Sequence, residues 1–203
     1  MSDSPPFERI AWPVRTERLT LRPATRADLP LLYEIRAHPG VSFWLTQEPS
    51  TYDDYLARND DPKRIASTLV VEHGGEVIGD LFLTVEAPWS QLEVQDQAAD
   101  TLGVMGWCVD PEHAGKGFAT EAAAEMLRLL FEELGVRRVV AGAFADNVAS
   151  VRVMEKIGMR LETRGVRDQL HRTLGWLDGV GYALLVEEWR SMRDERTDAR
   201  LRA

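Results

Sequence analysis

Over Arg15–Arg22, Leu19 and Leu21 are set against Arg18, Thr20 and Arg22, an alternation that predicts an edge strand. Thr25, with Asp28 three residues on, resembles a capping box. Leu29, Leu32 and Ile35 follow at helical spacing, so a helix is expected to about Ala37, ended by His38-Pro39-Gly40. Val41–Arg64 mixes Phe43, Trp44, Tyr52 and Tyr55 with polar residues and reads as short helices. Strands are predicted over Ser67–Glu72 and Val77–Val85, joined by a hairpin turn at His73-Gly74-Gly75-Glu76. Ala87–Asp100 has no periodicity and reads as an acidic loop around Trp89.

The most ordered pattern comes next. Leu102–Val109 reads as a strand stopped by Asp110-Pro111, and a short glycine loop follows. Apolar residues then fall at 119, 123, 126, 127, 130, 131 and 134, the spacing of a helix, with Gly135 as its C′ residue. A valine-rich strand spans Val136–Phe144, and a helix of about three turns fits between an Asn147 N-cap and a C′ Gly158. Met159–Glu162 and Gly179–Val186 supply the last strands, with Asp168, Gln169, His171 and Arg172 in their connection. From Glu187 onward the chain is a charged tail, expected to be frayed helix or disorder.

With 203 residues, 44% of them apolar and 28% charged, the chain suits one globular α/β domain with a substantial core. No internal repeat or linker divides it. Cys108 is the single cysteine, which excludes an internal disulfide and points to a reducing compartment. The polar start, Met1-Ser2-Asp3-Ser4-Pro5-Pro6, has no signal-peptide pattern, and no segment has the apolar length of a membrane span; a cytoplasmic protein is the expectation. The net charge of −9 is concentrated: Ile65–Gly115 contains nine acids and no Lys or Arg. Such a surface disfavours nucleic acid. It suits either a cationic substrate or simple solubility.

Strand, glycine loop and helix N-terminus together make an anion site, because Gly115 and Gly117 let main-chain N–H groups approach a ligand. The loop lacks the spacing and the Ser or Thr of a Walker A loop, and only two glycines fit the dinucleotide fingerprint. Ala114-Gly115-Lys116-Gly117-Phe118-Ala119 instead resembles the coenzyme A loop of the GNAT acetyltransferases, Gln/Arg-x-x-Gly-x-Gly/Ala, with Ala114 in place of the opening Gln or Arg. Asn147-Val148-Ala149-Ser150 through Lys156-Ile157-Gly158-Met159 is similar to the family's later motif, Asn-x-x-Ser-x-x-x-x-x-Lys-x-Gly-Phe. Two motifs in this order resemble the RimJ/RimL branch, whose members acetylate protein N-terminal and other amines.

The resemblance implies a single GNAT-like α/β domain over residues 15–189, a mixed, mostly antiparallel central sheet of about six or seven strands flanked by helices, after an extension over 1–14 and before a tail over 190–203. It implies acetyl-CoA as co-substrate, no metal, and an amine acceptor, either a peptide N-terminus or a small-molecule amine, with room for a homodimer. The main chain of Gly115, Lys116, Gly117, Phe118, Ala119 and Thr120 would hold the diphosphate, and Cys108 and Val109 would border the pantetheine arm and the thioester. Asn147 matches a position contacting that arm, and Lys156 could meet coenzyme phosphate. Where many members carry an acidic tyrosine this chain has Met154, so Ser150 is the candidate for positioning or protonating the sulfur. Cys108 reads as core filler rather than a nucleophile. The general base is unassigned; Glu72, Glu86, Asp168 and His171 are candidates, and Asp110 belongs to the turn. Ala114 and Met154 leave a catalytically silent acyl-CoA sensor as the alternative.

Overall fold

The computed structural model describes residues 6–48 and 51–201; the polar start Met1–Pro5 lies outside them. Eight strands form one sheet in the order β1-β2-β3-β4-β5-β6-β8-β7. They are β1 (Val14–Arg15), β2 (Leu19–Pro23), β3 (Thr68–His73), β4 (Glu76–Glu86), β5 (Leu102–Val109), β6 (Arg138–Phe144), β7 (Arg160–His171) and β8 (Gly175–Leu185). The helices are α1 (Leu29–Ala37), α2 (Pro39–Ser42), α3 (Tyr52–Asn59), α4 (Pro62–Ala66), α5 (Gln95–Ala98), α6 (Phe118–Arg128), α7 (Val148–Lys156) and α8 (Val186–Leu201). None of the described helices is long and apolar enough to cross a membrane.

Contacts divide the chain into two compact units. One holds the residues up to Thr84 with Met105–Leu134, and the other holds Val85–Val104 with the chain from Gly135 onward. In the first unit β2, β3 and β4 run antiparallel in sequence, and Leu21, Leu69, Ile78, Leu81, Met126 and Leu130 are buried. The Gly-Gly turn forms as expected, with φ of +61° at Gly74 and +89° at Gly75. Asp28 accepts from the Thr25 N–H at 2.7 Å, as a capping box requires.

In the second unit β5 pairs parallel to β6 through only three residue pairs, Leu102↔Arg138 to Val104↔Val140. The rest of β5, from Met105 to Val109, belongs to the first unit. β6 stays paired with β8 along its whole length. The Asn147 helix ends as expected: the Gly158 N–H donates to the Glu155 carbonyl at 3.0 Å and the Met159 N–H to the Met154 carbonyl at 3.0 Å. With Gly158 at φ +91°, this is a Schellman motif.

Two expectations change, and of the two readings given for the tail, helix is the one seen. The single edge strand over 15–22 is two strands, because the chain turns at Thr16, whose N–H donates to the Leu19 carbonyl at 2.9 Å. This brings the sheet to eight strands rather than six or seven. The strand expected to stop at Glu162 continues to His171 and forms the sheet edge. It is exposed nearly throughout and bulged where its register shifts between Gly165 and Gln169, so it carries no apolar alternation to read. The charged tail is helical in its described part, and Glu188 accepts from the Leu185 N–H at 2.8 Å ahead of it.

Among the described glycines of the first unit, Gly79 leaves the least room for a side chain. A Cβ there would overlap the Cys108 carbonyl oxygen and lie 3.1 Å from Val109 Cα. Gly79→Ala is expected to lower stability by about 1–3 kcal/mol, the usual cost of overpacking, read as a shifted urea midpoint at constant slope.

Candidate active site

The glycine loop is built in the first unit. Asp110 accepts from the Glu112 N–H at 2.9 Å and shapes the turn after β5, so it is committed to the fold rather than free as a base. Gly115 (φ +74°) and Gly117 (φ +84°) then adopt left-handed conformations, and Gly117 is the N-cap residue of α6. Among the described residues, the main-chain N–H groups of Gly115, Lys116, Gly117, Phe118, Ala119 and Thr120 have no protein acceptor; the first helical bond is Glu121 N–H to the Gly117 carbonyl at 3.0 Å. Gly115, Lys116 and Gly117 are exposed, whereas Phe118 is buried and anchors the helix. Consecutive donors at the positive end of a helix dipole, beside an exposed lysine, form an anion cradle.

A network invisible in the sequence pattern holds that cradle. The Arg18 guanidinium donates to the Lys116 carbonyl at 2.9 Å and to Glu121 at 2.7 Å, and lies 4.6 Å over the Phe118 ring. Glu121 also accepts from Thr16 Oγ1 at 2.5 Å and from the Arg18 N–H at 2.8 Å. Burial pushes the Glu121 carboxyl up, but these hydrogen bonds outweigh it and hold the group below the usual carboxylate range. The strand turn after β1 is thereby fixed to the first turn of α6, which sets where the loop N–H groups point.

Beside the loop, Cys108 is buried and its thiol is pushed up to about 12, chiefly by burial and further by the Asp80 charge. It stays a neutral thiol near pH 7, which removes the thiolate that covalent catalysis needs. Asp80 is 1% exposed and is held bidentately by Arg36, with Nε donating at 3.0 Å. Burial lowers the Arg36 pKa, yet the Asp80 charge and hydrogen bond, with the other groups around it, together outweigh burial and the group stays firmly protonated.

In the second unit Asn147 caps α7, its Oδ1 accepting from the Ser150 N–H at 3.2 Å. Ser150 is half-buried, and among the described residues its hydroxyl has no protein partner. It is therefore not a second cap. Met154 is 1% exposed and packs in the core, while Arg152 and Lys156 lie on the exposed face of the same helix.

A family model described as acetyltransferase (GNAT) domain matches residues 18–160. The chain belongs to the GNAT acetyltransferase family. The uncharacterized N-acetyltransferase YnaD of Bacillus subtilis is 39% identical over 85 residues, 42% of this chain and 49% of that protein, so the match spans about half of the relative. The uncharacterized N-acetyltransferase p20 of Bacillus licheniformis is 26% identical over 184 residues, 86% of this chain and 96% of that protein. Among solved structures, a GNAT-family acetyltransferase from Bacillus anthracis is 28% identical with a TM-score of 0.71, covering 86% of this chain and 98% of that one.

This GNAT chain engages all four groups, three carboxylates and one imidazole, that the sequence nominated as bases. Glu72 pairs with Arg22 at 2.7 Å. Asp168 accepts from the Gly179 N–H at 2.8 Å inside the β7–β8 hairpin. His171 is 3% exposed, and its Nδ1 accepts from the Thr173 N–H at 3.2 Å in the turn that follows. Glu86, at the end of β4, is also engaged.

Proposed function

We propose that the protein is an acetyl-CoA-dependent N-acetyltransferase that transfers the acetyl group directly to an amine held in the same complex. The observation that carries this reading is the run of unclaimed main-chain N–H groups from Gly115 to Thr120. The residues fit the coenzyme: a diphosphate needs several converging donors and a nearby cation, and the loop supplies both with Lys116. The pantetheine arm would lie along the strand that ends at Val109, as the family resemblance implies. A main-chain N–H at Cys108 or Val109 would donate to the thioester carbonyl, and Asn147 to the arm. Acetyl-CoA supplies the acetyl group as a thioester; the chain's task is to hold it, align the amine and move two protons.

Ser150 is the residue assigned to the departing sulfur, and its unengaged hydroxyl supports that role. Ser150→Ala is expected to lower kcat by about tenfold or more while coenzyme affinity changes less than twofold, an effect at the low end of or below that of an acid–base group. Equal losses in both would make Ser150 structural.

With the nominated bases committed elsewhere, an acceptor that is already partly neutral fits the site better. An α-amine of pKa near 8 is about 10% neutral at pH 7, whereas a lysine near 10.4 is neutral in about one molecule in 2,500. The reading is therefore an α-amine acceptor, as in the RimJ/RimL branch. Buried Met154 in the place of an acidic tyrosine supports a second reading, a silent acyl-CoA sensor. Incubation with acetyl-CoA and a panel of amines, followed by free thiol release, separates them: turnover on any amine supports the enzyme, and coenzyme binding without turnover the sensor.

A further inference from the structure

A cleft of about 80 Å³ opens in the first unit, and the charged side chains on its lining are Arg36, Asp54, Arg58 and Arg64. Arg36 commits Nε and Nη2 to Asp80, which leaves Nη1 without a partner among the described residues on a side chain 24% exposed. Arg58 and Arg64 are exposed and have no acidic partner among the described ion pairs. Arg64 Nη1 donates to Asn59 Oδ1 at 3.1 Å, which orients its guanidinium beside the cleft's amides. Asp54 is the one carboxylate on the lining, and Thr51 Oγ1 already donates to it at 2.8 Å. With Arg36 balanced by Asp80, the lining carries a surplus positive charge.

The cleft is tied to the segment assigned to the thioester through β4. Arg36, on the lining, donates to Asp80 at 3.0 Å, and the neighbouring Gly79 lies against the Cys108 carbonyl and Val109 Cα. We propose that this cleft receives the non-reacting end of the acceptor and that this end bears a carboxylate, bound by Arg58, Arg64 and the remaining Arg36 donors. The inference rests on the acetyltransferase reading and narrows its substrate to amines that also carry an acid. It goes against the cationic substrate that the acid-rich stretch left open beside simple solubility: within that stretch Glu72, Asp80 and Asp110 are committed to Arg22, Arg36 and a turn. Planar guanidinium groups grip carboxylates through paired N–H donors, which gives them more discrimination than a point charge would.

The test is a matched acceptor series: C-terminally amidated tripeptides with Glu, Gln or Lys at the second position, so that the α-amine is alike in all three. The expected kcat/KM is at least tenfold higher for the acid than for its amide, and the ratio falls toward one in the Arg58→Gln, Arg64→Gln double variant, whose changes are on exposed side chains. Equal or better use of neutral and lysine-containing acceptors by the unmodified protein overturns the proposal. Calorimetry with the same peptides keeps it separate from the transfer reading. Tighter binding of the acid than of the amide, lost in the double variant, supports the cleft even if no amine is acetylated. Indistinguishable binding of the two, with transfer intact, overturns the cleft and leaves the enzyme standing.

Discussion

Gly117→Trp is expected to reduce coenzyme A binding at least 100-fold, a loss of about 2.7 kcal/mol, while the protein remains folded. The indole would enter the space in which a diphosphate approaches the main chain of residues 115–120. A Cβ at this position already lies 3.3 Å from Arg18 Nη2, so the ring would also disturb the guanidinium that donates to the Lys116 carbonyl. The fold is expected to survive, because a non-glycine residue in the left-handed region costs about 1–3 kcal/mol against a usual total of about 5–15 kcal/mol. Gly175→Ala is the control for strain alone: its φ is +78° and a Cβ there meets nothing within 4 Å. Calorimetry should find coenzyme binding unchanged in the control and lost in Gly117→Trp, with circular dichroism alike in both. Full affinity in Gly117→Trp would remove the diphosphate from this loop.

What could be read in the chain before folding follows from where geometry restricts residue type. Gly117, Gly135 and Gly158 all adopt left-handed φ at helix ends, and Asn147 caps α7. Such positions accept few residues, so the loop and the α7 motif announce themselves. The length of β7 past Glu162 stayed hidden because a sheet-edge strand exposed on almost every residue has no buried face to impose alternation. The Arg18–Glu121 pair was beyond reach for another reason: its partners are 103 residues apart, and no local spacing rule joins them. Arg36 and Asp80, 44 residues apart, were hidden in the same way. A lone aspartate in an apolar strand, Asp80 between Gly79 and Leu81, was the available signal, since a buried carboxylate demands a partner.

That pair supports the second large effect. Asp80→Ala is expected to destabilise the protein by about 3–5 kcal/mol, because it strands the Arg36 guanidinium without its counter-charge in a partly buried setting. For a chain of this size the loss corresponds to a fall in Tm of about 6–20 °C. The cost belongs to breaking the pair rather than to the worth of the pair itself. Desolvating two charges offsets much of their attraction, so replacing both by apolar side chains of similar volume is often close to neutral. Asp80→Leu combined with Arg36→Met should therefore recover most of the stability lost in Asp80→Ala. A double-mutant cycle in urea, scored on midpoint and slope, measures the coupling directly. Losses that simply add would mean that Asp80 and Arg36 act independently, and the buried pair would not be what holds α1 to β4.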